Sequence, residues 1–173
     1  MNIVNSKRGT YYIADTLVNQ HPDKETLKDI ARLTANTIRF FNEEPKIAGI
    51  SFSSFGVDKT GSPRLMHDVV AELQAEDPNL KIDGEMTVDL ALDHKRRDEK
   101  YPFLRLHGEN VNSMIFTSLS AANSAYRLIK QFSPETEVIG PIQMGLNKPI
   151  HFTDFDSSVR DIVNITAVAV IDA

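Results

Sequence analysis

The stretch GPIQMGLNKPIHFTDFDSSVRDIVNITAVAVIDA, residues 140–173, reads as a Gly/Pro-rich loop, an acidic turn and a long apolar helix. The unpaired amides and the dipole of such a helix start favour phosphate or another anion. Here the chain sets its own carboxylates, Asp154 and Asp156, at that point. The letters therefore describe either a working anion site or a closed one. Asp161 follows Ser158 at the spacing of a helix capping pair, so it has a structural use as well as a chemical one. A second candidate is the loop SFSSFGVDKTGS at 51–62, where Ser51, Ser53, Ser54 and Gly56 offer hydroxyls and amides and Lys59 offers a charge. It reads as a ligand loop beyond the carboxyl end of a strand, and equally as a plain connection. Third come Asp83, Glu85, Asp89 and Asp93, of which the last three recur at i, i+4 and on a helix would line one face as metal-binding carboxylates do. A strand-end turn followed by a short solvated helix accounts for them better, because no phosphate-binding loop accompanies them.

Other chemistries are excluded by what the letters lack. The five histidines, His21, His67, His94, His107 and His151, form no HxH or HxxxH pair, so no metal site is expected from local ligands. GxSxG, P-loop and GxGxxG patterns are missing, as is cysteine, which removes thiolate catalysis and disulfides. A formal charge of −5 argues against a general nucleic-acid binder, and the one dense basic run, HKRRDEK at 94–100, is mixed in sign and reads as a solvated loop. No apolar run reaches the length of a membrane span and no secretory signal opens the chain, so a cytoplasmic protein is expected, with neither membrane nor nucleic acid as partner.

The elements that must position these residues alternate along 173 residues, enough for one domain or one and a half small ones. Strands are expected at 9–15, 46–52, 80–86, 110–118 and from 136 into a loop ending at 145, with helices at 24–41, from Ser62 and Pro63 to Glu76, and at 121–132. Such alternation implies a three-layer α/β/α fold with a mainly parallel sheet. The last helix, Val159 to Ile171, is apolar on almost every side and calls for a second layer from another domain or subunit.

From Arg8 to Ala173 the ordered strings IAGISFSSFG, KIDGEMTVDLAL, GENVNSMIF, LSAANSAYRLI, VIGPIQMGLNKPIH and SVRDIVNITAVAVIDA resemble the phosphate acetyl/butaryl transferase family. The resemblance implies the C-terminal half of a two-domain unit. Residues 1–150 would be its second α/β domain, and 151–173 a loop and final helix returning to the first. True phosphate acetyltransferases carry a Ser-Arg pair before the final helix and an Asp seven residues after the serine. Asp161 matches that Asp, but the Ser-Arg positions hold Asp154 and Phe155. An arginine supplies a bidentate, permanently charged donor to phosphate, and Phe supplies none of that.

The strings DGEM, DLALD and NITAVAVIDA look closer to a second branch, the transferase-like C-terminal domain of hybrid NADP-dependent malic enzymes. That branch implies a non-catalytic domain that binds acetyl-CoA as effector and aids assembly. Asp154, Phe155 and Asp161 would then be a vestigial site. The oxidative decarboxylation of malate, NADP and a divalent metal would belong to upstream domains of the same chain, and a homodimer or higher homo-oligomer would form. Ligand contacts are expected from Ser53, Ser54 and Lys59, from Asn110 and Asn123 in the family strings, and from Arg64 and Lys148 as further cations. An active phosphate acetyltransferase and a purely structural interaction module are the alternatives.

Overall fold

A computed structural model describes all 173 residues. In chain order the elements are β1 (Asn2–Ser6), β2 (Gly9–Ala14), α1 (Lys24–Phe40), β3 (Lys46–Ile50), α2 (Gly61–Glu76), β4 (Lys81–Met86), α3 (Val88–Leu92), α4 (His94–Lys100), β5 (Ser113–Phe116), α5 (Leu119–Phe132), β6 (Glu137–Ile139) and α6 (Val159–Ile171). The strands form one six-stranded sheet in the order β4-β3-β5-β2-β1-β6. Pairing is parallel from β4 through β3 and β5 to β2, while β1 runs antiparallel to both β2 and β6. This is the expected α/β architecture with a mainly parallel sheet, extended by one reversed strand.

Side chains alternate across the sheet with the period of two that strands impose. Tyr12 and Ile115 join one core with Leu27, Ile30 and Ile38 of α1 and Met66 and Leu73 of α2. Ile13 and Met114 join the other, beneath α3 and α5, with Met86, Leu90 and Ala122. After their first residues the central strands therefore read as apolar runs, IAGI in β3 and MIF in β5, because both faces are covered. Helix α1 starts where the Asp23 carboxylate accepts the Thr26 N–H at 2.8 Å. Its buried stripe recurs at helical spacing, each Leu or Ile contributing roughly 2 kcal/mol. Helix α6 joins the α1 side through Ile165 and Val168 and leaves Val159, Val163, Val170 and Ile171 exposed. No helix is long and apolar enough to cross a membrane.

The structure corrects the sequence reading of 94–100. HKRRDEK is helix α4, not a loop, and Arg97 within it is wholly buried. Its guanidinium donates to the carbonyls of Ala91, Leu106 and Glu109 at 3.1, 2.8 and 2.5 Å, which organises the turn-rich segment 101–112. From β4, Asp83 accepts the Leu106 N–H at 2.7 Å and Gln74 Nε2 at 3.0 Å, and burial pushes its carboxyl pKa up. At the opposite, amino end of the sheet, Glu109 meets Lys46 Nζ at 2.7 Å and Lys81 Nζ at 2.5 Å. Those two ammonium groups hold its pKa at about 2, against 4.5 ordinarily.

Arg97→Met leaves buried carbonyls without a donor and is expected to cost about 3 kcal/mol, whereas Lys95→Ala on the exposed side of the same helix stays within about 0.5 kcal/mol. Urea midpoints of the two variants decide between a structural and a surface role for α4. Because the Glu109 pKa is depressed, its stabilisation is complete above pH 4.5 and disappears as pH falls toward 2. Glu109→Gln should therefore flatten the loss of stability between about pH 5 and about pH 3, with little change near neutrality beyond a constant offset.

Candidate functional site

The carboxyl ends of β3 and β4 lie side by side, with Ile50 opposite Met86. In a parallel sheet this is where loops collect ligands. As the chain leaves β3, Ser51 donates its N–H to the Met86 carbonyl and Phe55 to the Glu85 carbonyl, each at 2.9 Å. Phe55 and Gly56 then reverse the loop with φ of +48° and +81°. Such a backbone is unfavourable for Phe, and its ring gains a partner in return, packing at a 47° tilt against Tyr101 with centroids 4.4 Å apart.

Just before this turn the two serines are fixed by the backbone. Ser53 Oγ accepts the Asp58 N–H at 3.0 Å, and Ser54 Oγ accepts the Thr87 N–H at 3.2 Å. Each hydroxyl is used as an acceptor, so its proton is left to donate to a ligand. Asp58 accepts both the N–H and the hydroxyl of Thr60, which lowers its pKa, and it remains an anion tied into the loop. The result is a cleft of about 850 Å³ bordered by Phe52, Ser53, Ser54, Lys59, Arg96 and Tyr101. Arg96 is engaged by Asp89 at 2.9 Å. Lys59 and Lys100 also border the cleft without an ion-pair partner in the chain, the latter 5.5 Å from the Tyr101 ring centre. Hydroxyl donors, unpaired ammonium groups and aromatic walls suit a phosphate ester attached to a flat or apolar body. Neither serine hydroxyl contacts an imidazole or carboxylate, so the arrangement binds rather than activates a nucleophile.

The remaining expected ligand residues do not converge here. Arg64, on α2, is paired with Asp68 at 3.0 Å. Asn110 is exposed at the amino end of β5, the far side of the sheet. Asn123 ties α5 to the loop after β2 by donating to the Thr16 carbonyl at 3.1 Å. That loop is closed by Asp15, which accepts the N–H groups of Leu17 and Asn19 at 2.7 Å each, so its amides are engaged by the chain itself. Lys148 borders a separate cavity of about 220 Å³ between α1 and α6, with Leu33, Phe40 and Val168. Sequence reasoning missed Arg96, Lys100 and Tyr101, whose place over the cleft follows from the α3–α4 turn. Glu85, Asp89 and Asp93 share no helix face, in keeping with the favoured reading of a strand end followed by a short helix: Asp83 and Glu85 are on β4, Asp89 is in the first turn of α3 and Asp93 caps α4 by accepting the Arg96 N–H at 3.1 Å.

At the start of α6, Ser158 and Asp161 form a reciprocal capping box. The Ser158 N–H and hydroxyl donate to Asp161 Oδ2 at 3.0 and 2.9 Å, and the Asp161 N–H donates back to Ser158 Oγ at 3.2 Å. The Ser158 hydrogen bonds lower the Asp161 pKa. Asp154 and Phe155 lie exposed just before it, outside the Ser53 cleft.

The profile of the family described as phosphate acetyl/butaryl transferase matches residues 1–170. The chain belongs to that family. It is 38% identical over 173 residues to an NADP-dependent malic enzyme of Salmonella typhimurium, covering the whole chain and 23% of that protein. It is 36% identical over 168 residues to a phosphate acetyltransferase of Clostridium acetobutylicum, covering 96% of the chain and 50% of that protein. Among solved structures, a phosphotransacetylase from Streptococcus pyogenes superposes with a TM-score of 0.89 at 28% identity, covering 98% of this chain and 52% of that one. This transferase-family chain thus spans about a quarter of the malic enzymes and half of the transferases that it matches. Both branches that the sequence resembles are represented among its relatives.

Ser158→Ala should cost about 1 kcal/mol by removing the α6 cap. Thermal unfolding measures the loss, and Ser158→Thr, which keeps a hydroxyl that both accepts the Asp161 N–H and donates to its carboxylate, should retain most of the wild-type stability.

Proposed function

We propose that this chain acts as a non-catalytic, acetyl-CoA-binding regulatory and assembly domain of an NADP-dependent malic enzyme. The observation that carries this reading is the pair Asp154–Phe155, standing where the transferase pattern has Ser-Arg inside an otherwise well-kept family sequence. Loss of a fixed donor to a developing charge typically costs 10²–10³-fold in rate, about 3 kcal/mol, and Asp154 adds repulsion toward phosphate. Asp161 persists for a structural reason, since it completes the capping box. The Ser53 cleft supports the binding half, because its free hydroxyl protons and the unpaired Lys59 and Lys100 suit the phosphates of a coenzyme. In this reading malate, NADP and a divalent metal are handled by upstream domains in the cytoplasm. Residues 151–173 return to a neighbouring transferase-like domain, and copies associate through the apolar surface that α6 leaves open.

The test uses the full-length protein. Acetyl-CoA is expected to bind in a calorimetric titration and to change the rate of malate-dependent NADPH formation, while no acetyl phosphate forms from acetyl-CoA and phosphate. Acetyl phosphate turnover would replace this reading with an active transferase. No heat at millimolar acetyl-CoA, with assembly intact, would leave a purely structural module.

A further inference from the structure

Glu85, next to last in β4, has its side chain wholly buried. A carboxylate removed from water needs donors to hold it. It has two. Oε1 accepts the Gly56 N–H at 2.5 Å, and Oε2 lies 3.2 Å from Nδ1 of His67 on α2. The Glu85 carbonyl also accepts the Phe55 N–H at 2.9 Å. Both members of the left-handed pair Phe55–Gly56 are therefore hydrogen-bonded through successive amides to one residue of another strand. Ser54, whose hydroxyl faces the cleft, immediately precedes that pair, and Lys59 follows it by three residues.

The platform beneath Glu85 is fixed by close packing. Gly84, at φ +150°, sits where an added Cβ would lie 2.6 Å from the Gly49 carbonyl oxygen, so β3 and β4 touch with no side chain between them. Met66, one residue before His67, closes the other side of Gly49, where a Cβ would meet its Sδ at 2.7 Å. Three elements thus hold the carboxylate at a set distance from the loop.

We propose that Glu85 is a positioning residue for ligand binding: by clamping Gly56 against β4 and α2 it sets the Ser53–Lys59 loop in the form that presents both serine hydroxyls to a phosphorylated ligand. This rests on the reading of the Ser53 cleft as the acetyl-CoA site. The clamp acts through reach rather than charge, because its main partner is a neutral amide. Glutamine keeps that reach and can meet His67 Nδ1 as a donor, whereas aspartate keeps the charge but is one methylene too short.

The experiment compares Glu85→Gln, Glu85→Asp and Glu85→Ala in the full-length protein by hydrogen exchange over residues 52–60 and by titration with acetyl-CoA. Glu85→Gln should match the wild type within about twofold, while Glu85→Asp and Glu85→Ala should speed loop exchange and weaken binding by about tenfold each. Core exchange in α1 and β5 should stay unchanged. Should Glu85→Ala not fold, the Gln and Asp pair alone carries the comparison. Aspartate behaving as wild type while glutamine fails would overturn the proposal in favour of a direct charge effect, as would unchanged loop exchange in both variants. If the wild type binds no acetyl-CoA, the exchange series still decides whether Glu85 sets the loop, and only the identity of the ligand falls.

Discussion

The end of the sheet that carries the cleft depends on how closely β3 and β4 can approach at Gly49 and Gly84. Parallel strands lie roughly 5 Å apart, and their side chains ordinarily fill the space above and below the ladder. Here the glycines let backbone meet backbone, and Met66 and Val70 of α2 descend onto Gly49. The approach brings two carboxylates, Asp83 and Glu85, into contact with different elements. Asp83 reaches the Leu106 amide and Gln74, anchoring the segment that returns to β5. Glu85 reaches Gly56 and His67, anchoring the loop that leaves β3. Asp83 and Glu85 are therefore two buried carboxyl groups with structural uses, each met by its own hydrogen-bond partners. A larger side chain at Gly84 would separate the strands and withdraw both anchors together.

Much of the fold was legible because its signals are local. The helices at 24–41 and 62–76 follow from a 3.6-residue apolar period, and the central strands from short apolar runs between turn residues. Strand β1 was not legible. Its letters, NIVNS, are half polar, and it is a strand only because β2 and β6 pair with it on either side. Arg97 was hidden for a similar reason. In a run of alternating charges nothing marks one arginine as buried, and its role appears only once three carbonyls from distant turns surround it. Ser53, Ser54 and Lys59 could be named because a strand end followed by small polar residues is a local pattern. Arg64 and Lys148 could be named only as cations and Asn110 only from its place in a family string, and the topology sends them to an ion pair, a separate cavity and the far end of the sheet respectively.

Helix α6 shows the limit of periodicity more sharply. Its apolar residues lie on almost every side, yet only Ile165 and Val168 reach the core. The exposed Val159, Ile162, Val163, Val170 and Ile171, with Phe152 and Phe155 before them, form more apolar surface than a solitary helix in water retains without cause. Polar anchors hold one side: Arg160 and Asn164 reach Glu137 at 2.7 and 3.0 Å. The helix is thus fixed in direction by β6 while most of its apolar side remains open, which supports the proposal that a neighbouring domain or copy covers it.

Asp161, which the resemblance matches to a transferase residue, accepts two hydrogen bonds in a capping box, so its presence is explained without catalysis. Asp154 accepts the Ser157 N–H through its backbone at 3.1 Å, a role any residue fills. Phe155 is different. Its ring is fully exposed and packs on nothing within the chain, so neither capping nor core packing accounts for it. An aromatic ring held in water is unfavourable unless something covers it. In the proposed reading, a position without the charge that phosphate chemistry needs carries instead the kind of side chain that interfaces favour. The proposed assembly role accounts for both together, since it needs no anion at this surface and supplies a protein to cover the ring.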